Sequence, residues 1–162
     1  MQVMAVASCR PFLMALALLH AAPVIANPLC VVAAVGPVMI YDPANAAPTD
    51  GIGSLSVTCT YVGLGSANVS YQMRLSTGVS NGFFPRKMNF LTVNMLNYNI
   101  YTNPARTTVW GDGTGGTAIR TDSYAMGAGV IARNYDVYFR IPASQSVAAG
   151  AYADTINVTL MF

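Results

Sequence analysis

The sequence predicts an all-β domain, a sandwich or a barrel, that is exported and closed by a disulfide. Three observations predict it. The chain beyond residue 26 is rich in Val, Thr, Tyr, Ile and Ser, broken by Gly, Asn, Asp and Pro, which is the vocabulary of strands and turns. Several segments alternate apolar and polar residues with a period of two. The N-terminus has the parts of a secretory signal peptide.

The signal comes first. Arg10 is the single charge ahead of an apolar run from Phe12 to Ala22, and Pro23-Val24-Ile25-Ala26 offers small or β-branched residues at the −3 and −1 positions of a cut after Ala26. The run is shorter than the ~20 apolar residues of a membrane span and lies between Pro11 and Pro23. The expected organisation is therefore a signal peptide at 1–26 and one domain at 27–162. Cys9, Arg10 and His20 leave with the signal. The mature chain then has Cys30 and Cys59 as its cysteines and no His or Glu, and its acids are Asp42, Asp50, Asp112, Asp122, Asp136 and Asp154. Its charge is near neutral, which gives no electrostatic case for nucleic acid or an anionic membrane surface. In an oxidising compartment an even cysteine pair reads as a disulfide.

Strands are expected near 30–41, 54–62, 68–76, 86–92, 95–102, 106–110, 117–121, 130–141 and 152–162. Turn signals separate them at Asp42-Pro43, Gly63 to Ser66, Ser80-Asn81-Gly82, Asn103-Pro104, Gly111 to Gly116, and Pro142 to Gly150. The small, polar stretch Ala44 to Gly53 reads as an exposed loop. In 68–76, Val69, Tyr71, Met73 and Leu75 share a face. In the last strand Tyr152, Ile156, Val158, Leu160 and Phe162 share a face, which Asp154 interrupts.

Chemistry is sparse. Without mature His, Glu or free Cys, the usual acid–base and nucleophile pairings are missing, and no spacing singles out two aspartates. The chain does not read as an enzyme, and no cofactor or metal is implied. Gly111-Asp112-Gly113-Thr114-Gly115-Gly116-Thr117 lacks the Gly-Lys-Ser/Thr end of a phosphate loop and is too poor in carboxylates for a calcium loop, so it reads as a hairpin connection. The many tyrosines suit core or sheet-surface positions better than a sugar platform. Phe83-Phe84 differs, because adjacent aromatics in a turn cannot both point inward easily. One is expected to be exposed and to offer an apolar contact.

Several segments resemble the spore coat protein U domain family: the Cys30 to Cys59 spacing, Tyr41-Asp42-Pro43, Ser56-Val57-Thr58-Cys59, Met88-Asn89, Leu96 to Thr102, Arg106 to Thr114, Arg140-Ile141-Pro142 and, most strongly, Gly150 to Phe162. The family includes subunits of archaic, Csu-type chaperone–usher pili, which support attachment and biofilm formation. The resemblance implies an incomplete immunoglobulin-like sandwich lacking its final strand and completed by donor-strand addition. Its partners would be a periplasmic chaperone, an outer-membrane usher and a neighbouring subunit that supplies a strand. The implied donor-strand groove is bordered by Ile156, Val158, Leu160 and Phe162. Met39-Ile40 stand where the family usually has Phe-Gly. Only Asn27, Pro28 and Leu29 separate the expected cut from Cys30, too few for a donor segment, which points to a tip position. Two other readings compete: a small outer-membrane β-barrel, suited by the terminal Phe162, and a secreted carbohydrate-binding module or enzyme.

Overall fold

The computed structural model describes residues 27–162, so the expected signal peptide and its cut lie outside the described residues. Six strands form in chain order: β1 (Leu29–Val35), β2 (Thr49–Leu75), β3 (Arg86–Phe90), β4 (Asn94–Tyr101), β5 (Arg120–Ile141) and β6 (Val158–Met161). Their hydrogen-bonded order is β1-β2-β5-β4-β3, with β6 on β2, and every pair is antiparallel. No helix occurs among the described residues, and the all-β, immunoglobulin-like expectation holds. Among the described residues the path runs from β1 to β3, β6 branches from β2, and the bridge Asn89↔Ala153 joins β3 to the segment ahead of β6.

β2 and β5 are far longer than the ~5–6 residues of an ordinary strand. They form one antiparallel ribbon from Thr49↔Ile141 to Met73↔Arg120, broken by a register shift between Tyr61 and Ser66. There residues 62–65 oppose Ala128 alone, since Tyr61 pairs with Gly129 and Ser66 with Gly127. Gly65 and Gly129 take φ of 77° and 139° there, conformations closed to most side chains. Across this break the inward parity of β5 shifts by one residue. Tyr124 and Met126 face the core before it, and Ile131, Tyr135, Val137 and Ile141 after it.

Both halves of the ribbon contribute to one core. Leu55, Val57, Cys59 and Tyr61 come from the first half and Val69, Tyr71, Met73 and Leu75 from the second, closed over by Leu96, Tyr98 and Ile100 of β4. Trp110 is fully buried and donates its indole N–H to the Met73 carbonyl at 3.0 Å. The disulfide is formed: Cys30 and Cys59 are register partners across β1 and β2 and are bonded to each other.

Several expected boundaries change. The segments 54–62 and 68–76 are one strand, because both pair with β5 and the glycine-rich stretch between them is a bulge. Residues 49–53, expected in a loop, open β2 because they find Val137 to Ile141 across from them. Residues 106–121 reduce to the bridges Tyr101↔Val109 and Trp110↔Ala118 before β5 begins, since Arg106, Gly113, Gly115 and Gly116 all take positive φ. The expected strand 30–41 pairs only to Val35, and 152–162 only over Val158–Met161, with a bridge Asn89↔Ala153 before it.

Candidate functional site

β1 and β6 attach to the same edge of β2, one at each half of its ribbon: β1 against Ser54 to Thr60, β6 against Gln72 to Leu75. β5 occupies the other edge throughout. The walls that carry β1 and β6 therefore face one another with nothing between them. A cleft of about 380 Å³ opens there, floored by Leu55, Ile100 and Val137 and walled by Val35, Gly36, Pro37 and Met39 on one side and Asp154, Ile156 and Val158 on the other. A second cleft, of about 440 Å³, lies beneath Pro37 to Pro43 and is lined by Leu96, Ile141, Val147 and Tyr152. The two share Pro37, Met39, Met88 and Tyr152, so they form one apolar trough.

The four residues expected to border a groove divide. Ile156 and Val158 line the first cleft. Leu160 packs, half-buried, on the core beyond it. Phe162 is 75% exposed and its ring forms an edge-type pair with Tyr71, 6.3 Å between centroids. Asp154, which interrupts the apolar face, nevertheless points inward. Its carboxylate accepts from the Tyr98 hydroxyl at 2.6 Å, the Val79 N–H at 2.8 Å and the Thr155 N–H at 2.7 Å. Burial first, and then this bond to Asp154, raises the Tyr98 hydroxyl well above the usual phenol range. Asp154 thus ties the trough wall to the turn after β2.

The opposite wall escaped sequence reasoning. Gly51 and Gly53 stand at inward positions of β2, where a side chain would be expected. A Cβ at Gly51 would meet the Met39 sulfur at 2.5 Å, and one at Gly53 would meet the Val35 carbonyl oxygen at 2.5 Å and Pro37 Cδ at 3.3 Å. Val35, Pro37 and Met39 therefore lie directly over Gly51 and Gly53. The legible signal was Gly51-Ile52-Gly53 at the start of a strand, a mark of close backbone approach. Tyr41 anchors the far end: its oxygen accepts the Gln145 N–H at 2.6 Å and its O–H donates to the Gln145 carbonyl at 3.3 Å.

The Phe83-Phe84 turn lies apart from the trough. Phe84 is 60% exposed, as expected of one ring of the pair, and Phe83 is half-buried. Arg86 explains the difference. Its guanidinium stacks on Phe83 at 4.8 Å and donates to the Ser76 carbonyl (3.0 and 2.9 Å), Asn99 Oδ1 (2.9 Å) and the Trp110 carbonyl (2.7 Å). Arg86 is fully buried and opens β3. Burial lowers its pKa to about 10, so it stays charged at neutral pH, held by carbonyl oxygens rather than by a contacting carboxylate.

With this geometry in place, likenesses to known proteins can be read. The chain is 30% identical over 113 residues to "Protein U" of Myxococcus xanthus, covering 69% of this chain and 60% of that protein. Its fold matches a chain in the crystal structure of the CsuC–CsuE chaperone–tip adhesion subunit pre-assembly complex from the archaic chaperone–usher Csu pili of Acinetobacter baumannii. That match has a TM-score of 0.51 and 22% identity, and covers 84% of this chain and 40% of that one. The chain thus spans about three-fifths of the length of the first and two-fifths of the second. The profile of the Spore Coat Protein U domain matches residues 15–159, nearly the whole sequence. The chain belongs to the Spore Coat Protein U domain family.

Proposed function

We propose that the chain is a non-catalytic, structural and adhesive subunit of a chaperone–usher pilus. It would be exported through the periplasm after cleavage behind Ala26 and assembled at the cell surface by accepting a strand in its trough. One observation carries the reading: β1 and β6 border an apolar trough with no strand between them. Such a trough in water exposes apolar floor and unpaired main-chain groups, both of which an inserted strand would satisfy. The partners in this reading are a periplasmic chaperone that fills the trough first, an outer-membrane usher, and a neighbouring subunit whose strand replaces the chaperone's. Membership of the family and the fold shared with a chain of the Csu pre-assembly complex support it.

The reading extends to a distal place in the fibre and to attachment and biofilm formation. The exposed Phe84, presented by a turn pinned through Arg86 and away from the trough, supports an apolar contact with a surface. Affinity purification of the subunit from periplasm tests the core of the reading. A chaperone should co-purify in equal amount, and the double substitution Val158→Asp, Leu160→Asp should abolish its capture. A stable, monomeric double variant that needs no partner would contradict it. Immunogold labelling tests placement, with gold confined to fibre ends expected and gold along the shaft contradicting it.

A further inference from the structure

Asn81 is the one asparagine of the sequence that precedes a glycine. The pair Asn81-Gly82 lies in the connection between β2 and β3, and Asn81 is exposed. Among the described residues neither the Asn81 side chain nor the Gly82 N–H has a hydrogen-bond partner. Other asparagines are held. Asn99 Oδ1 accepts from Arg86 and its Nδ2 donates to the Phe83 carbonyl, while Asn103 Nδ2 donates to the Thr107 hydroxyl and its Oδ1 accepts the Thr107 N–H. The bend around Asn81 is fixed by a third group: the Ser80 hydroxyl oxygen lies 2.9 Å from the Thr77 carbonyl oxygen and 2.8 Å from that of Gly82. A Cβ at Gly82 would meet nothing within 4 Å, so that side of the main chain is open. The connection from Ser76 to Pro85 carries no charged residue, and it presents Phe84 to solvent.

The main-chain nitrogen after an asparagine can attack the side-chain carbonyl carbon and close a five-membered ring. Glycine, having no side chain, crowds that approach least. We propose that Asn81-Gly82 is a site of spontaneous deamidation, which places a negative charge in the apolar turn and weakens the contact of Phe84 with an apolar surface as the subunit ages. The only co-reactant is water. The Gly82 nitrogen bonds to Asn81 Cγ, the Cγ–Nδ2 bond breaks, and the amide leaves as ammonia with the proton that the Gly82 nitrogen gives up. Water then opens the succinimide. Opening between the Gly82 nitrogen and Cγ gives aspartate. Opening between that nitrogen and the main-chain carbonyl carbon gives isoaspartate, whose main chain is one carbon longer. Either product is a carboxylate, ionised at neutral pH. A carboxylate three residues ahead of Phe84 loses hydration when the ring is pressed on an apolar surface, which opposes the contact. The effect on contact rests on the reading of the Phe84 turn given above, and the chemistry does not.

Peptide mapping by mass spectrometry of the purified chaperone–subunit complex, held for days at neutral pH, tests the chemistry. Aspartate and isoaspartate at position 81 should accumulate at least about tenfold faster than at any other asparagine. Gly82→Ala should slow them about tenfold, and the open space at Gly82 accommodates the added methyl group. Conversion at position 81 no faster than elsewhere would overturn the proposal. Retention on an alkyl-coated surface tests the consequence, with Asn81→Asp standing in for the aged protein. Asn81→Asp should be retained about threefold less than the parent, and Asn81→Gln as well as the parent. Full retention of Asn81→Asp, with Phe84→Ser released, would overturn the effect on contact. Full retention of Phe84→Ser as well would overturn the reading of the Phe84 turn, and that effect with it.

Discussion

The two walls of the trough are made of the same kind of sequence but meet different fates. Val31 to Val35 and Val158 to Met161 find β2 at their side and become strands. Pro37 to Tyr41 and Asp154 to Ile156 alternate between half-buried and exposed positions, as strands do, yet remain outside the strands. The difference is one of partners, not of propensity, because a strand is completed by the neighbour that takes its hydrogen bonds. The paired region is also reinforced, by the Cys30–Cys59 bond and by the core packed behind Val57 and Cys59, whereas the unpaired walls enclose open space.

Substitutions should separate the regions. The largest loss is expected at Trp110, whose fully buried ring and indole hydrogen bond hold the connection before β5 against β2. Trp110→Ala should cost about 3–5 kcal/mol in denaturant unfolding. Next comes the staple. Cys30→Ser with Cys59→Ser opens a loop with a sequence separation of 29, and the double variant should lose about 3–4 kcal/mol on the chain-entropy account. The comparison itself is sharpened by a matched pair. Met73→Ala, in the packed region, should cost about 2–5 kcal/mol. Ile156→Ala, at the trough wall, should cost less than about 1 kcal/mol in the isolated chain, since one side of that side chain has no packed neighbours to lose. It should nevertheless weaken chaperone capture, and equal stability losses at the two sites would erase the distinction drawn here.

The smallest effect concerns the outer face of the ribbon, where Arg140 donates to both oxygens of Asp50 at 2.7 and 2.8 Å. The hydrogen bond from Arg140 leads the lowering of the Asp50 pKa below its ordinary 3.8. A depressed carboxylate stabilises the fold fully above its unfolded pKa, and that contribution fades as pH falls through the lower folded value. The pair is solvent-accessible, so Asp50→Asn should cost under about 1 kcal/mol at neutral pH. The gap between variant and parent should close below about pH 4 in acid-unfolding curves, and a gap that persists there would mean the bond is not the cause.

Much of this architecture was legible. Strand composition and turn signals located β3 and β4, alternation gave the inward face of 68–76, and the cysteine count gave the disulfide. The bulge at 62–65 was not legible, because Gly63 and Gly65 signal a turn equally well whether the flanking strands separate or share one neighbour. Residues 49–53 were hidden for the opposite reason: their glycines look like loop until Pro37 and Met39 are seen to cover them. Arg86 gave no sequence sign that it would be buried, since its carbonyl partners at Ser76 and Trp110 come from segments brought together only by the fold. At the candidate site, periodicity put Ile156 and Val158 on one face, the family resemblance put that face at a groove, and both residues line the first cleft. Phe162 fell on the expected parity but ends the chain largely in solvent, beside Tyr71.

The central claim is that the trough is filled by a strand from a periplasmic partner. The most direct measurement is photo-crosslinking in cells, with a benzophenone side chain placed at Ile156 inside the trough or at Ser56 on the outer face of β2. The account predicts a covalent adduct with a chaperone from position 156 and none from position 56. No adduct from 156, or equal adducts from both positions, would contradict it.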